Sequence, residues 1–169
     1  EVFTEPMSMT DAIKRAGVDF HIAKHPVVVQ IPNGDVTDLV PTKNFAVVRE
    51  PVADDNQYRV LSIVGKEWTP IQAMDLGRML DPITEQYPVE TIGALGHGEK
   101  IFMTLDAGDS TICGEDHKLY FLVTDHRDGM GALQIAFTPV RVVCQNTLTA
   151  GLANAKISVR LTHTRNIES

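Results

Sequence analysis

The chain has 169 residues, 43% of them hydrophobic and 22% charged, with a net charge of −7. That length supports one hydrophobic core burying roughly 70% of the unfolded surface, and the composition excludes collagen-like, coiled-coil and disordered chains. The acidic balance argues against a generally basic nucleic-acid binder, and two cysteines, Cys113 and Cys144, fall short of a disulfide framework or a zinc pattern.

Charge is unevenly spread. Residues 1–117 hold 9 basic against 19 acidic side chains and residues 118–169 hold 6 against 3, so only the final third would welcome a polyanion. No apolar run approaches the roughly 20 residues of a membrane span, and the N-terminus EVFTEPMSMT has no basic region followed by an apolar one. A reducing cytoplasm, with no membrane partner, is the expected home. The sequence opens without Met, as a fragment of a longer chain would.

Met9, Thr10 and Asp11 lead into AIKRAG, a short helix with Thr10 or Asp11 accepting from its free N–H groups and Gly17 closing its end. Phe20, Ile22 and Val27 to Ile31 read as strand, interrupted at His25-Pro26 because proline cannot donate to a ladder. Pro32-Asn33-Gly34-Asp35 is a turn centred on Asn-Gly, followed by a second strand around Val36 to Leu39. Asn44 to Arg49 and Tyr58 to Val64 form a further hairpin. Trp68-Thr69-Pro70 predicts a helix start, with Thr69 as cap and Pro70 at the first helical position. Leu76, Met79, Leu80 and Ile83 give that helix one apolar face, and Pro82 ends or kinks it near Leu80.

Glu90 to Leu95 and Lys100 to Leu105 are strands across Gly96-His97-Gly98, and Asp106 to Lys118 reads as a polar loop. Leu119 to Thr124 and Ala132 to Phe137 flank the polar tip Asp125-His126-Arg127-Asp128-Gly129. After Pro139 a strand over Val140 to Val143, a helix over Gln145 to Ala155 and a closing strand from Ile157 to Leu161 complete the chain. The pattern predicts a single α+β domain over 1–169: a largely antiparallel sheet of several hairpins with two or three helices packed on one face.

The candidate chemistry centres on Thr138 to Thr149, TPVRVVCQNTLT. Arg141, alternating against Val140 and Val142, faces away from the core, and with Arg160 and Arg165 would form a basic sheet face for phosphates. Gln145 and Asn146 open a helix whose start can hold an anion or serve as an ordinary cap. Cys144 with His163 would make a nucleophile and base, although Cys144, Leu148 and Leu152 at i, i+4 and i+8 favour a buried thiol. Asp125, His126 and Asp128 could ligate a divalent cation, or simply build a turn. His97 between glycines is a weaker candidate, and Trp68 reads as a core anchor. Phosphate-binding glycine loops, HExxH and GxSxG are absent, and no cofactor is expected.

At TPVRVVCQNTL the sequence resembles the phage- and plasmid-related protein family catalogued as domain of unknown function 932. Further resemblance lies at Ala16 to Asp19, Val48-Arg49, Trp68 to Gln72, Asp128-Gly129 and His163 to Ile167; the chain departs from the family pattern at Thr124 to Met130. The resemblance implies a mobile-element origin, a bacterial cytoplasm and members that continue beyond this C-terminus. By analogy at the level of fold alone, phage proteins of this build include oligomeric single-strand annealing proteins.

Three functions follow. The first is a non-enzymatic homo-oligomer binding single-stranded DNA through Arg141, Gln145, Asn146, Arg160 and Arg165. The second is a nucleic-acid enzyme using Asp125, His126 and Asp128 with a metal, or Cys144 with His163. The third is a self-assembling interaction or scaffold module, marked by an exposed apolar patch without a basic face.

Overall fold

Two antiparallel sheets carry the fold. The structure, a computed structural model, describes residues 1–112, 114–155 and 157–163. Helix α1 (Met9–Arg15) is followed by β1 (Ile22–Asn33), β2 (Val36–Arg49) and β3 (Arg59–Val64), a three-stranded sheet in that order. Helix α2 (Ala73–Leu80) runs into a 3-10 turn, Asp81–Ile83. Strands β4 (Val89–Leu95), β5 (Lys100–Ile112), β6 (Glu115–His126) and β7 (Leu133–Thr138) follow; after α3 (Gln145–Ala153), β8 (Ile157–Leu161) completes a five-stranded sheet ordered β4-β5-β6-β7-β8. The architecture is α+β and antiparallel throughout. No helix among the described residues is long and apolar enough to cross a membrane.

Alternation sorts the five-stranded sheet into two unlike faces. Ile92, Ile101, Met103, Leu105, Val123 and Leu133 face the main core, which also takes Met9 and Ile13 from α1, Leu76 and Leu80 from α2, and Ile22, Val47 and Leu61 from the smaller sheet. The opposite face carries Phe102 and Leu122, covered by Val142 and by Leu148 of α3, among buried Thr91, Thr104, Thr124 and Thr138. Thus α1 and α2 share one face, and α3 covers the other.

Side chains splice the pieces together. Asp81 accepts from the Thr10 amide at 2.9 Å and the Thr10 hydroxyl at 2.8 Å, tying α1 to the end of α2. Gln72 brackets Ile22, accepting from its amide at 3.1 Å and donating to its carbonyl at 2.9 Å. At Gly98 a Cβ would lie 2.6 Å from the Phe20 ring, and at Gly129 one would lie 2.7 Å from Val64, so two turns of the large sheet press on the small one.

Several local expectations are revised. Helix α2 starts at Ala73, with Gln72 as cap, and not at Thr69-Pro70. Val36 to Leu39 and Asn44 to Arg49 are one strand, and the expected polar loop after Asp106 is an extended hairpin of β5 and β6. Val140 to Val143 is not strand: past Pro139 the chain leaves the sheet, Val142 tucks under α3, and Thr91 Oγ1 donates to its carbonyl at 2.7 Å.

Gly34 and Gly129 both adopt positive φ, 63° and 68°, but only Gly129 has a neighbour in the path of a Cβ. Gly34→Ala should cost about 1–2 kcal/mol of left-handed backbone penalty, and Gly129→Ala about 1–3 kcal/mol more through overpacking on Val64. Equal losses in urea unfolding of the two variants would refute the packing assigned to the β6–β7 turn.

Candidate functional site

Among the described residues, the predicted basic face is not assembled. Arg141 lies beside β4, its Nε 3.0 Å from Glu90 Oε1; Lys118 Nζ bridges the other Glu90 oxygen at 3.2 Å and Asp106 at 3.0 Å. Two cations and two anions thus neutralise each other along that edge, beside a cavity of about 260 Å³ that Phe3, Pro6 and Pro88 also line. Arg160 is on β8, opposite Gln134, at the other edge of the sheet. Four strand spacings, roughly 19 Å, separate the two edges, so Arg141 and Arg160 do not share one patch. Arg165 lies outside the described residues, as does Cys113. Gln145 and Asn146 are exposed in the first turn of α3, where the Gln145 amide donates to Thr149 Oγ1 at 3.3 Å.

Cys144 is exposed, which corrects the expectation of a buried thiol. Helix α3 begins one residue later, so Cys144 is its N-cap with extended backbone and does not continue the row of Leu148 and Leu152. The Thr147 hydroxyl, then the Thr147 and Asn146 amides, hold the thiol below its ordinary pKa. His163 is not its partner: it is buried on the far side of the sheet.

There His163 joins a polar cluster inside the core. Its Nε2 is 2.8 Å from Asp125 Oδ1 and its Nδ1 is 3.1 Å from the Thr69 carbonyl, while its own carbonyl accepts from the Thr69 amide at 3.2 Å. The ring stacks on Trp68 with centroids 5.0 Å apart and planes 12° from parallel. Both ring nitrogens face oxygen atoms. Asp125 also accepts from Arg127 Nε at 3.2 Å, and both side chains are fully buried. The Arg127 guanidinium sits 5.1 Å from the Phe20 ring centroid, with Arg49 at 5.6 Å from the same ring. Burial lowers the pKa of Arg127, and Asp125 opposes the shift.

This arrangement takes Asp125 away from any shared metal site with His126 and Asp128. Asp125 points into the core; the His126 ring packs against Gly131, 3.8 Å from Asp128, and burial lowers its pKa. Asp128 accepts from the Met130 amide at 2.9 Å, which is turn chemistry. Among the described residues no group of three or more His, Cys, Asp or Glu could hold a metal ion.

The feature that sequence reading missed is an arm. Beyond the Pro26–Phe45 pair, β1 and β2 leave the body as a two-stranded ribbon exposed on both sides. Paired residues share a face, so Val29, Ile31, Val36 and Val40 line one side, and Val28, Leu39, Pro32 and Pro41 the other. Val28, Val29, Ile31, Val36, Leu39 and Val40 are each 43–67% exposed. At its base the outer face of the small sheet adds Val60 and Ile63, with Tyr58 beside them, also exposed.

A family model described as a domain of unknown function, DUF932, matches residues 60–169, well over half of the chain. The chain belongs to the DUF932 family. Comparison with curated proteins and with solved structures finds no match. Trp68, Asp125, Arg127, Arg141, Cys144 and His163 all fall within the DUF932 match, whereas the arm precedes it. The buried cluster is therefore built wholly from the matched part, apart from the Phe20 ring that Arg127 covers.

Two outcomes test these assignments. His163→Ala removes one of the two groups that face the buried Asp125 carboxylate, together with the ring stacked on Trp68, and should cost about 3–5 kcal/mol, whereas Arg141→Ala, at a half-exposed pair, should cost about 1 kcal/mol or less; emission of Trp68, the single tryptophan, reports both unfolding transitions. Alkylation of Cys144 should persist to lower pH than for an unperturbed thiol, because the thiolate is the reactive form. Thr147→Val should move that profile upward, and an unshifted profile would remove the role given to the Thr147 hydroxyl.

Proposed function

We propose that this DUF932 chain is a self-assembling interaction module whose arm packs against a second copy. The observation that carries the reading is the run of half-exposed aliphatic side chains on both faces of the β1–β2 ribbon. A two-stranded ribbon alone in water is at best marginally stable, so a lasting arm calls for a cover. Fully burying one aliphatic side chain is worth about 1.5–3 kcal/mol; six that are already half buried therefore supply on the order of 5–9 kcal/mol. Association itself costs about 4–15 kcal/mol, so the six alone support a weak dimer, and Tyr58, Val60 and Ile63 at the base would strengthen it.

The single-stranded DNA reading has less support, because Arg141 is neutralised by Glu90 and stands apart from Arg160. A phage or plasmid origin and a bacterial cytoplasm remain part of the proposal, on the strength of the family resemblance.

Sedimentation equilibrium across about 1–100 μM tests it. The wild-type chain should show a concentration-dependent dimer or larger species, and Val29→Asp with Leu39→Asp should leave a folded monomer, checked by circular dichroism, since both side chains are exposed. A wild-type chain that is monomeric throughout, or a double variant that assembles as before, would overturn the proposal.

A further inference from the structure

Charge along the arm is not random. Asp35 and Asp38 lie at its tip, and Lys24, Lys43 and Lys66 lie about its base, with Glu67 next to Lys66 in the chain. Asp35, Asp38, Lys43 and Lys66 form no ion pair among the described residues: Asp38 accepts only from the Asn33 amide at 3.0 Å, and the Lys24 ammonium is taken by the carbonyls of Lys66 and Trp68 at 2.7 and 2.6 Å. Five residues of strand, roughly 17 Å, separate Lys43 from Asp38. That exceeds the Debye length of about 8 Å at physiological salt, so tip and base hardly feel each other within one chain.

Starting from the assembly reading above, we infer that two arms pack antiparallel about a two-fold axis, the acidic tip of each on the lysine-rich base of the other. A two-fold interface brings one patch against itself, and a patch negative at one end and positive at the other is self-complementary only when reversed. Parallel packing would set Asp35 and Asp38 against their own copies. The antiparallel arrangement also lays one side of each tip, with Val36, over the Val60 and Ile63 face beside the partner's arm base, bringing two exposed apolar surfaces together. Addition at the ribbon edges is disfavoured, because Pro26, Pro32 and Pro41 offer no donor to a ladder.

The test uses two variants of the full chain with surface substitutions only: a tip variant, Asp35→Lys with Asp38→Lys, and a base variant, Lys43→Glu with Lys66→Glu. Alone, each meets like charge on like charge and should dimerise about tenfold more weakly than wild type, a few exposed pairs being worth about a factor of two to five apiece. Mixed in equal amounts they should form a heterodimer of near wild-type affinity, resolved from the homodimers by mass in native mass spectrometry. A mixture no tighter than the separate variants would overturn the antiparallel geometry, as would tip and base variants that each dimerise as tightly as wild type, because parallel arms set each end against its own copy whatever its sign. A wild-type chain that does not dimerise removes the assembly reading itself, a failure distinct from either.

Discussion

Every apolar sheet face in this molecule needs a cover, and most of the architecture is the supply of covers. The five-stranded sheet is apolar on one face and a mixture of threonines, Phe102 and Leu122 on the other. The apolar face takes the larger cover, α1 and α2 with the inner face of β1–β3. The mixed face takes α3 and Val142, close enough that a Cβ on Gly151 would sit 3.1 Å from Val142. Even the β4 edge is closed, by the Val2–Thr91 bridge and the Glu1 contacts with Ile92. The covering stops along β1 and β2, whose aliphatic residues continue after the body of the protein has ended.

The buried polar cluster is the other departure from a plain hydrophobic core. Removing Asp125, Arg127 and His163 from water is expensive, and such groups persist only when paired. Here Asp125 faces both Arg127 and His163, Phe20 offers its ring to Arg127, and Trp68 stacks on His163. The pairing joins the end of β8 to the residues that enter α2, 94 positions apart in sequence. A hydrophobic patch could hold those segments together without fixing their register; an imidazole bracketed by a carboxylate and a carbonyl fixes it.

Local patterns were readable where local physics decides. The Gly17 close of α1, the alternation of β3 through β7 and the buried Leu76 and Leu80 of α2 follow from neighbours within a few residues, although the cap of α1 is Ser8 and not Thr10 or Asp11, and Met79 is exposed. The larger errors lie where a distant partner intervenes. Thr69 and Pro70 resemble a helix start, yet Thr69 is held by His163, and Gln72, clamped on Ile22, becomes the cap. Cys144 was assigned to a helix face by spacing, but an N-cap has extended backbone and the helical period does not reach it. Arg141 was assigned by strand alternation to a segment that leaves the sheet. Nothing in the sequence brings Asp125, Arg127, Trp68 and His163 together, because their meeting depends on strand order.

The arm was hidden for a related reason. VVVQIPNGDVTDLVP reads as an ordinary hairpin, and its aliphatic density suggests a buried strand pair. Only topology separates a buried hairpin from an exposed one: β3 pairs with β2 from Phe45 to Arg49 and goes no further, so among the described residues the outer half of the ribbon has no third strand and no helix above it. Its prolines then acquire a second meaning. In a sheet interior they would be defects, but on the edges of a projecting ribbon they deny a donor to strands that might otherwise add without limit. With its edges blunted, the ribbon offers its apolar faces, and not its ladder, to whatever covers it.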